Sequence, residues 1–182
     1  DGAVWLDPAR TSPTQFYQFW INVDDVDTED YLKIFTELPK EEIEQIMKKH
    51  QEDPQQRVAQ RRLAQEVTSL VHGKDEMTNA EDITDYLTGK NNIGEAADVM
   101  EEIRKEITAI KSDQKGSVIA ALSNSGLAGS NSEARRLLAS GAVYVNGHKV
   151  DRENFEPEDF QNGRLLLRRG KAFKDSALVE LG

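Results

Sequence analysis

The residues best equipped for chemistry lie near the end of the chain, in the run Ser130-Asn131-Ser132-Glu133-Ala134-Arg135-Arg136. A helix over 132–139 starts there, and its first N–H groups have no intrahelical partner, which favours an anion at that end. Arg135 and Arg136 follow one turn in. Their forked guanidinium groups can each meet two oxygens of a phosphate. Beyond Gly141, Val143, Tyr144 and Val145 alternate as a strand, Asn146-Gly147 is a strong two-residue hairpin signal, and the return brings Lys149 toward the same surface. Arg168, Arg169 and Lys171 make a second basic group. Ser130, Asn131, Ser132, Arg135, Arg136, Asn146, Lys149, Arg168, Arg169 and Lys171 are therefore the candidate residues for gripping phosphate.

Other chemistries find no candidates. The chain has no Gly-rich phosphate loop, no nucleophile beside a base, and no Cys, and its three His (His50, His72, His148) have no ligand spacing. No catalytic residue, metal or bound cofactor is expected. The formal charge of −10 alone would argue against nucleic acid, but the charges are unevenly spread. From Ser130 onward nine Lys and Arg face eight Asp and Glu, net +1, whereas residues 1–129 carry 14 and 25, net −11. No apolar run approaches the roughly 20 residues of a spanning helix, so no membrane partner is expected. The start lacks both an initiator Met and a signal-peptide pattern, so its first residues are expected to belong to something upstream.

The elements that must position the basic residues follow from caps and periodicity. Thr11-Ser12-Pro13 opens a helix with Phe16, Phe19 and Trp20 at helical spacing. After a polar stretch from Asn22 to Asp27, Thr28 caps a second with Tyr31, Leu32 and Phe35. Pro39 opens a third with Ile43, Ile46 and Met47 on one face. Pro54 opens the longest, whose apolar stripe is Ala59, Leu63, Val67, Leu70 and Val71, closed by Gly73. Arg57, Arg61 and Arg62 form an outward basic ridge, either a solvated face or a phosphate contact. His72 suits a helix C-terminus. Asn79 caps a short helix ending at Gly89. Residues 90–115 read as a charged, partly helical connector in which Ala97, Met100, Ile103, Ile107 and Ile110 give a weak period. After Gly116 come a helix over 118–123, the Arg135 helix, the hairpin, and strands over 165–169 and 177–181. The expected fold is α+β: an N-terminal all-α helical domain, then a small α+β domain of two helices packed on a short antiparallel sheet.

The run from Ser130 to Val150 resembles the RNA-binding domain named after ribosomal protein S-four, with Asn131 where that family often has a cation. Asp1-Gly2-Ala3-Val4-Trp5-Leu6-Asp7-Pro8 with Phe16-Tyr17-Gln18-Phe19-Trp20, then Leu70-Val71-His72-Gly73, and last Gly163 to Lys171, resemble successive segments of bacterial-type tyrosyl-tRNA synthetases. The resemblance implies four parts: residues 1–12 as the end of a catalytic domain, 13–89 as a helical anticodon-binding domain, 90–115 as the connector, and 116–182 as the S-four-type domain. It implies tyrosine tRNA as partner, with the long variable arm held by the C-terminal domain. It places Asp25 in the loop before the second helix as acceptor for the wobble guanine, with Asp24 and Asp27 as alternatives. ATP and tyrosine would serve only the parent's catalytic domain, so the fragment alone would not catalyse. It would be a monomer of a cytoplasmic, homodimeric parent. A stand-alone S-four-type RNA-binding protein, the RNA-binding arm of a pseudouridine synthase, or an acidic interaction scaffold are the competing readings.

Overall fold

A computed structural model describes residues 4–170 and 172–182, and they form two units, divided after Asp82. In the first, α1 (Pro13–Ile21) starts where Ser12 Oγ accepts from the Gln15 amide at 3.1 Å, with Pro13 just inside. α2 (Asp25–Phe35) begins three residues before Thr28. Thr28 is buried within it and donates its hydroxyl to the Asp24 carbonyl, while Asp25 and Asp27 occupy the first turn, where carboxylates complement the helix dipole. The second half of the expected polar loop, Asp25 to Asp27, is thus helix. α3 (Lys40–Glu52) follows Pro39 as expected.

α4 (Val58–His72) packs against all three preceding helices. Its buried arc takes in Ala59, Gln60, Leu63, Ala64, Val67 and Thr68. That arc is rotated from the apolar stripe, so Leu70 falls at its margin and is 66% exposed. Pro54 opens a separate single turn instead of α4. Between the two, Arg57 adopts a left-handed conformation at φ 52°. Its guanidinium donates to the carbonyls of Ile21 (3.1 Å) and Val23 (2.8 Å), which closes the end of α1. Arg61 pairs with Glu81 at 2.6 Å, and Arg62 with Glu42 and Glu66. The basic ridge is therefore internal scaffolding. Phe16, Tyr17, Trp20, Leu32 and Ile43 complete this core. Each fully buried side chain of this size contributes about 1.5–3 kcal/mol relative to exposure.

Gly73, at φ 90°, ends α4, and α5 (Lys74–Leu87) starts at once, with Asp75 and Glu76 in its first turn. Asn79 consequently lies inside α5 and caps nothing. His72 packs edge-on against Phe16, with ring centroids 4.9 Å apart, and its Nε2 is buried without a hydrogen-bond partner. Burial lowers its pKa, opposed more weakly by Glu76, so the neutral imidazole is the folded form. The unfolded chain takes up this proton near pH 6.5, which the folded unit resists until lower pH. Stability should therefore fall as pH drops through 6.5 and level off below the folded pKa. Urea melts at pH 5 and pH 7.5 should show a smaller loss in His72→Gln than in the native chain.

The second unit is built on a five-stranded sheet of order β1-β5-β4-β2-β3: β1 (Thr108–Ser112), β2 (Val143–Val145), β3 (His148–Lys149), β4 (Arg164–Arg169) and β5 (Ser176–Leu181). β1 lies parallel to β5 and the other pairs are antiparallel, so the sheet is mixed rather than purely antiparallel. One face carries α7 (Val118–Asn124) and α8 (Asn131–Ala139). Val118, Leu122, Ala134 and Leu138 meet Val143, Val145, Leu165, Leu167, Ala177 and Val179 there. On the opposite face, Ile83, Leu87, Ile93, Met100 of α6 (Met100–Glu106) and Ile103 cover Leu166 and Leu178. Residues 93–112 are thus a packed layer and an edge strand, not a connector. Asn146 (φ 48°) and Gly147 (φ 83°) make the expected hairpin turn, which needs two left-handed residues.

Candidate nucleic-acid interface

α8 presents two exposed cations, Arg135 and Arg136. Its start is fixed by Ser130 Oγ, which accepts from the Glu133 amide at 3.1 Å. The Glu133 carboxylate turns back and accepts from the Gly129 amide at 2.8 Å. The positive end of α8 thus already holds a carboxylate, which corrects the expectation of an open helix start. Asn131 Oδ1 accepts from the Ser123 hydroxyl, and Ser132 is exposed. The buried stripe of Ala134 and Leu138 leaves Arg135 and Arg136 outward. Neither has an ion pair among the described residues.

The remaining candidates divide by face. β2 pairs Tyr144 with Lys149 on one side and with Arg168 on the other, so these three side chains form one row across the sheet. Alternation sets that row on the face away from α7 and α8, since Val143, Val145 and Leu167 point to the helices. Arg168 lies 5.0 Å from the Tyr144 ring centre and 5.9 Å from that of Phe173. Burial lowers its pKa, offset in part by Tyr144. Arg169, one residue on, faces the helices and sits 3.7 Å from both Glu133 and Asp175. Lys149 is exposed, and its stem runs so close over Gly141 that a Cβ there would collide with it. The ammonium is thereby held near the C-terminal end of α8, where a cation is favourable.

Asn146 is not free for RNA. Its Nδ2 donates to the Asp159 carbonyl at 2.7 Å and its Oδ1 accepts from the Leu166 amide at 2.9 Å, so both ends of the amide serve the hairpin. Lys171 lies outside the described residues. Sequence reasoning missed Tyr144 and Phe173 as the rings that hold Arg168. For Tyr144 the cross-strand spacing was the available signal; for Phe173 there was none.

In the first unit, Asp25 is the first residue of α2 and not a loop residue. Its Oδ1 accepts from Gln60 Nε2 and lies 3.3 Å from His50 Nε2, both partners being buried. The Asp25 side chain remains 54% exposed, and its Oδ2 has no partner among the described residues. Among the described residues Asp24 and Asp27 make no such side-chain contacts; the Asp24 carbonyl instead receives Thr28. Among the described residues no group of acidic or His side chains could hold a metal ion, and no helix is long and apolar enough to cross a membrane.

Residues 1–88 match the family of class I tRNA synthetases (W and Y), and residues 99–174 match the tyrosine–tRNA ligase SYY-like C-terminal domain. Curated tyrosine–tRNA ligases of Limosilactobacillus reuteri and Bacillus subtilis are each 43% identical over 93% of this chain. The chain belongs to the tyrosine–tRNA ligase family. That of Streptomyces avermitilis is 40% identical over 99% of the chain. The chain spans 42% to 43% of the length of these ligases, and the helix-and-hairpin segment around Arg135 falls in the C-terminal-domain match.

Proposed function

We infer that this chain is the tRNA-binding portion of a tyrosine–tRNA ligase, and that by itself it binds tyrosine tRNA without charging it. The observation that carries the reading is the two outward guanidinium groups on α8, Arg135 and Arg136, which have no ion pair among the described residues of a chain whose net charge is −10. In the second unit Lys149 adds a further cation beside α8, while Arg169 contributes only when its carboxylates yield. A duplex arm fits this surface, because double-stranded RNA is held mainly through shape and phosphate contacts. In the first unit Asp25, with Oδ1 occupied, offers Oδ2 to the N–H donors of a guanine such as that at the wobble position. The full protein would then join tyrosine to the tRNA with ATP, using a catalytic domain and a homodimer interface outside this chain, in the cytoplasm. The fragment itself would be a monomer.

A binding titration tests this. Tyrosine tRNA with and without its long variable arm, at about 50 and 200 mM salt, should show tight binding that needs the arm and weakens steeply with salt, because phosphate contacts release counterions. Indifference to the arm would reduce the chain to a general RNA binder. Absence of binding at low salt would leave the acidic helical scaffold as the better reading.

A further inference from the structure

We propose that His50 and Gln60 are positioning residues for base recognition: they pin one oxygen of the Asp25 carboxylate, and the pinning lets the other oxygen tell a wobble guanine from adenine. The proposal rests on the reading that Asp25 meets the wobble base and adds the residues that make that contact selective.

The three side chains converge from three helices. Asp25 opens α2, His50 lies in the last turn of α3 and Gln60 in the first turn of α4. Gln60 Nε2 donates to Asp25 Oδ1, and His50 Nε2 stands 3.3 Å from the same oxygen. A carboxylate oxygen only accepts, so the His50 contact is attractive when the imidazole proton is on Nε2. Two donors occupy both acceptor positions of Oδ1. His50 is 3% exposed and Gln60 0%, so a half-exposed carboxylate is held from beneath by two buried groups.

The cost of this arrangement argues against plain packing. Gln60 Oε1 and His50 Nδ1 are both buried without a hydrogen-bond partner. Leaving a buried polar atom unpaired is unfavourable, and an apolar side chain of similar size would fill either place without that cost. What the two polar side chains supply, and apolar ones cannot, is a pair of donors on one carboxylate oxygen.

The consequence appears at Oδ2. Guanine's Watson–Crick edge offers N1–H and an amino group, and the two vacant acceptor positions of Oδ2 can receive both. Adenine carries an unprotonated N1 at that place, so two lone pairs would face each other. A carboxylate free to rotate would turn the oxygen to water. One held by two buried donors cannot, and the wrong base meets repulsion and unpaired groups.

The test titrates the whole 182-residue chain with tyrosine tRNA carrying guanine or adenine at the wobble position, and reads the ratio of the two dissociation constants beside a thermal melt. Gln60→Met keeps the length of the side chain, removes the donor, and should lower the preference for guanine about tenfold. His50→Leu should act in the same direction, and His50→Gln, whose amide returns an N–H donor, should recover most of the ratio. A purely structural role would lower the thermal midpoint and weaken both tRNAs alike, leaving the ratio unmoved. The His50 variants decide the matter if Gln60→Met folds poorly. Asp25→Asn separates the two readings. Its carbonyl oxygen would be pinned in place of Oδ1 and its amino group turned outward, so the preference should shift toward adenine. Native ratios in Gln60→Met and His50→Leu, with the preference lost in Asp25→Asn, would overturn the positioning role alone. A native chain that binds both tRNAs equally, or a guanine preference that survives in Asp25→Asn, would remove the Asp25 reading and this proposal with it.

Discussion

Replacing Arg135 and Arg136 together by alanine should weaken tyrosine-tRNA binding roughly 100-fold while leaving the thermal midpoint almost unchanged. Each guanidinium–phosphate contact is charge-assisted and loses about 1.5 kcal/mol or more on truncation, and two such losses give that factor. The salt dependence should flatten by about two phosphate equivalents. Stability should be spared because both side chains are exposed on α8 and lack ion pairs among the described residues, and alanine favours a helix at least as well as arginine does. Arg169 provides the contrast. Its removal would also release Glu133 and Asp175 from their shared cation, so a binding change there would mix RNA contact with rearrangement. Titration of the double variant beside its thermal melt distinguishes the cases. Unchanged affinity would mean that α8 does not touch the RNA.

Physical range explains what could be read from the chain before its structure. The α8 helix and the Asn146-Gly147 hairpin are local: a cap, a turn and an alternation lie within a few residues of what they determine, and all three formed where their residues stand. The ion pairs are not local. Arg61 finds Glu81 and Arg169 finds Glu133, each across 20 or more residues, so no spacing rule could show that these two cations are occupied, whereas the Glu66 partner of Arg62, four residues on, follows from helix spacing. Asn146 was recognised as a turn residue, yet its amide is also committed to Asp159 and Leu166 by tertiary contacts. The candidate site was therefore legible in its local scaffold and only partly legible in its free charges.

The second layer of the sheet did leave a trace. Leu165-Leu166-Leu167 and Ala177-Leu178-Val179 are uninterrupted apolar runs, whereas a sheet with one wet face alternates apolar and polar residues. Such runs require cover on both faces, and the only nearby apolar period without an assigned partner was the weak one through Met100, Ile103 and Ile107. High charge around those residues, including Glu101, Glu102, Arg104 and Lys105, disguised the period as a tether. β1 is harder to see. Its five residues sit at the edge, parallel to a strand more than 60 residues later, and its exposed Thr108 and Ala109 give no alternation.

Ile103→Ala should therefore act as a core mutation. Ile103 is fully buried among Ile93, Met100, Leu166 and Leu178, and truncating it leaves a cavity that the sheet cannot collapse to fill. The expected loss is about 2–5 kcal/mol, a large share of the roughly 5–15 kcal/mol that holds a domain folded. For a unit of this size that corresponds to a fall in thermal midpoint of about 10 °C or more. Leu138→Ala, on the other face beneath α8, should cost a similar amount and serves as the reference. A mobile tether would behave differently, since an isoleucine in solvent contributes almost nothing to stability. An Ile103→Ala midpoint within about 1 °C of the native chain would remove the layer from the fold, whereas a loss matching Leu138→Ala would establish that the sheet is covered on both faces.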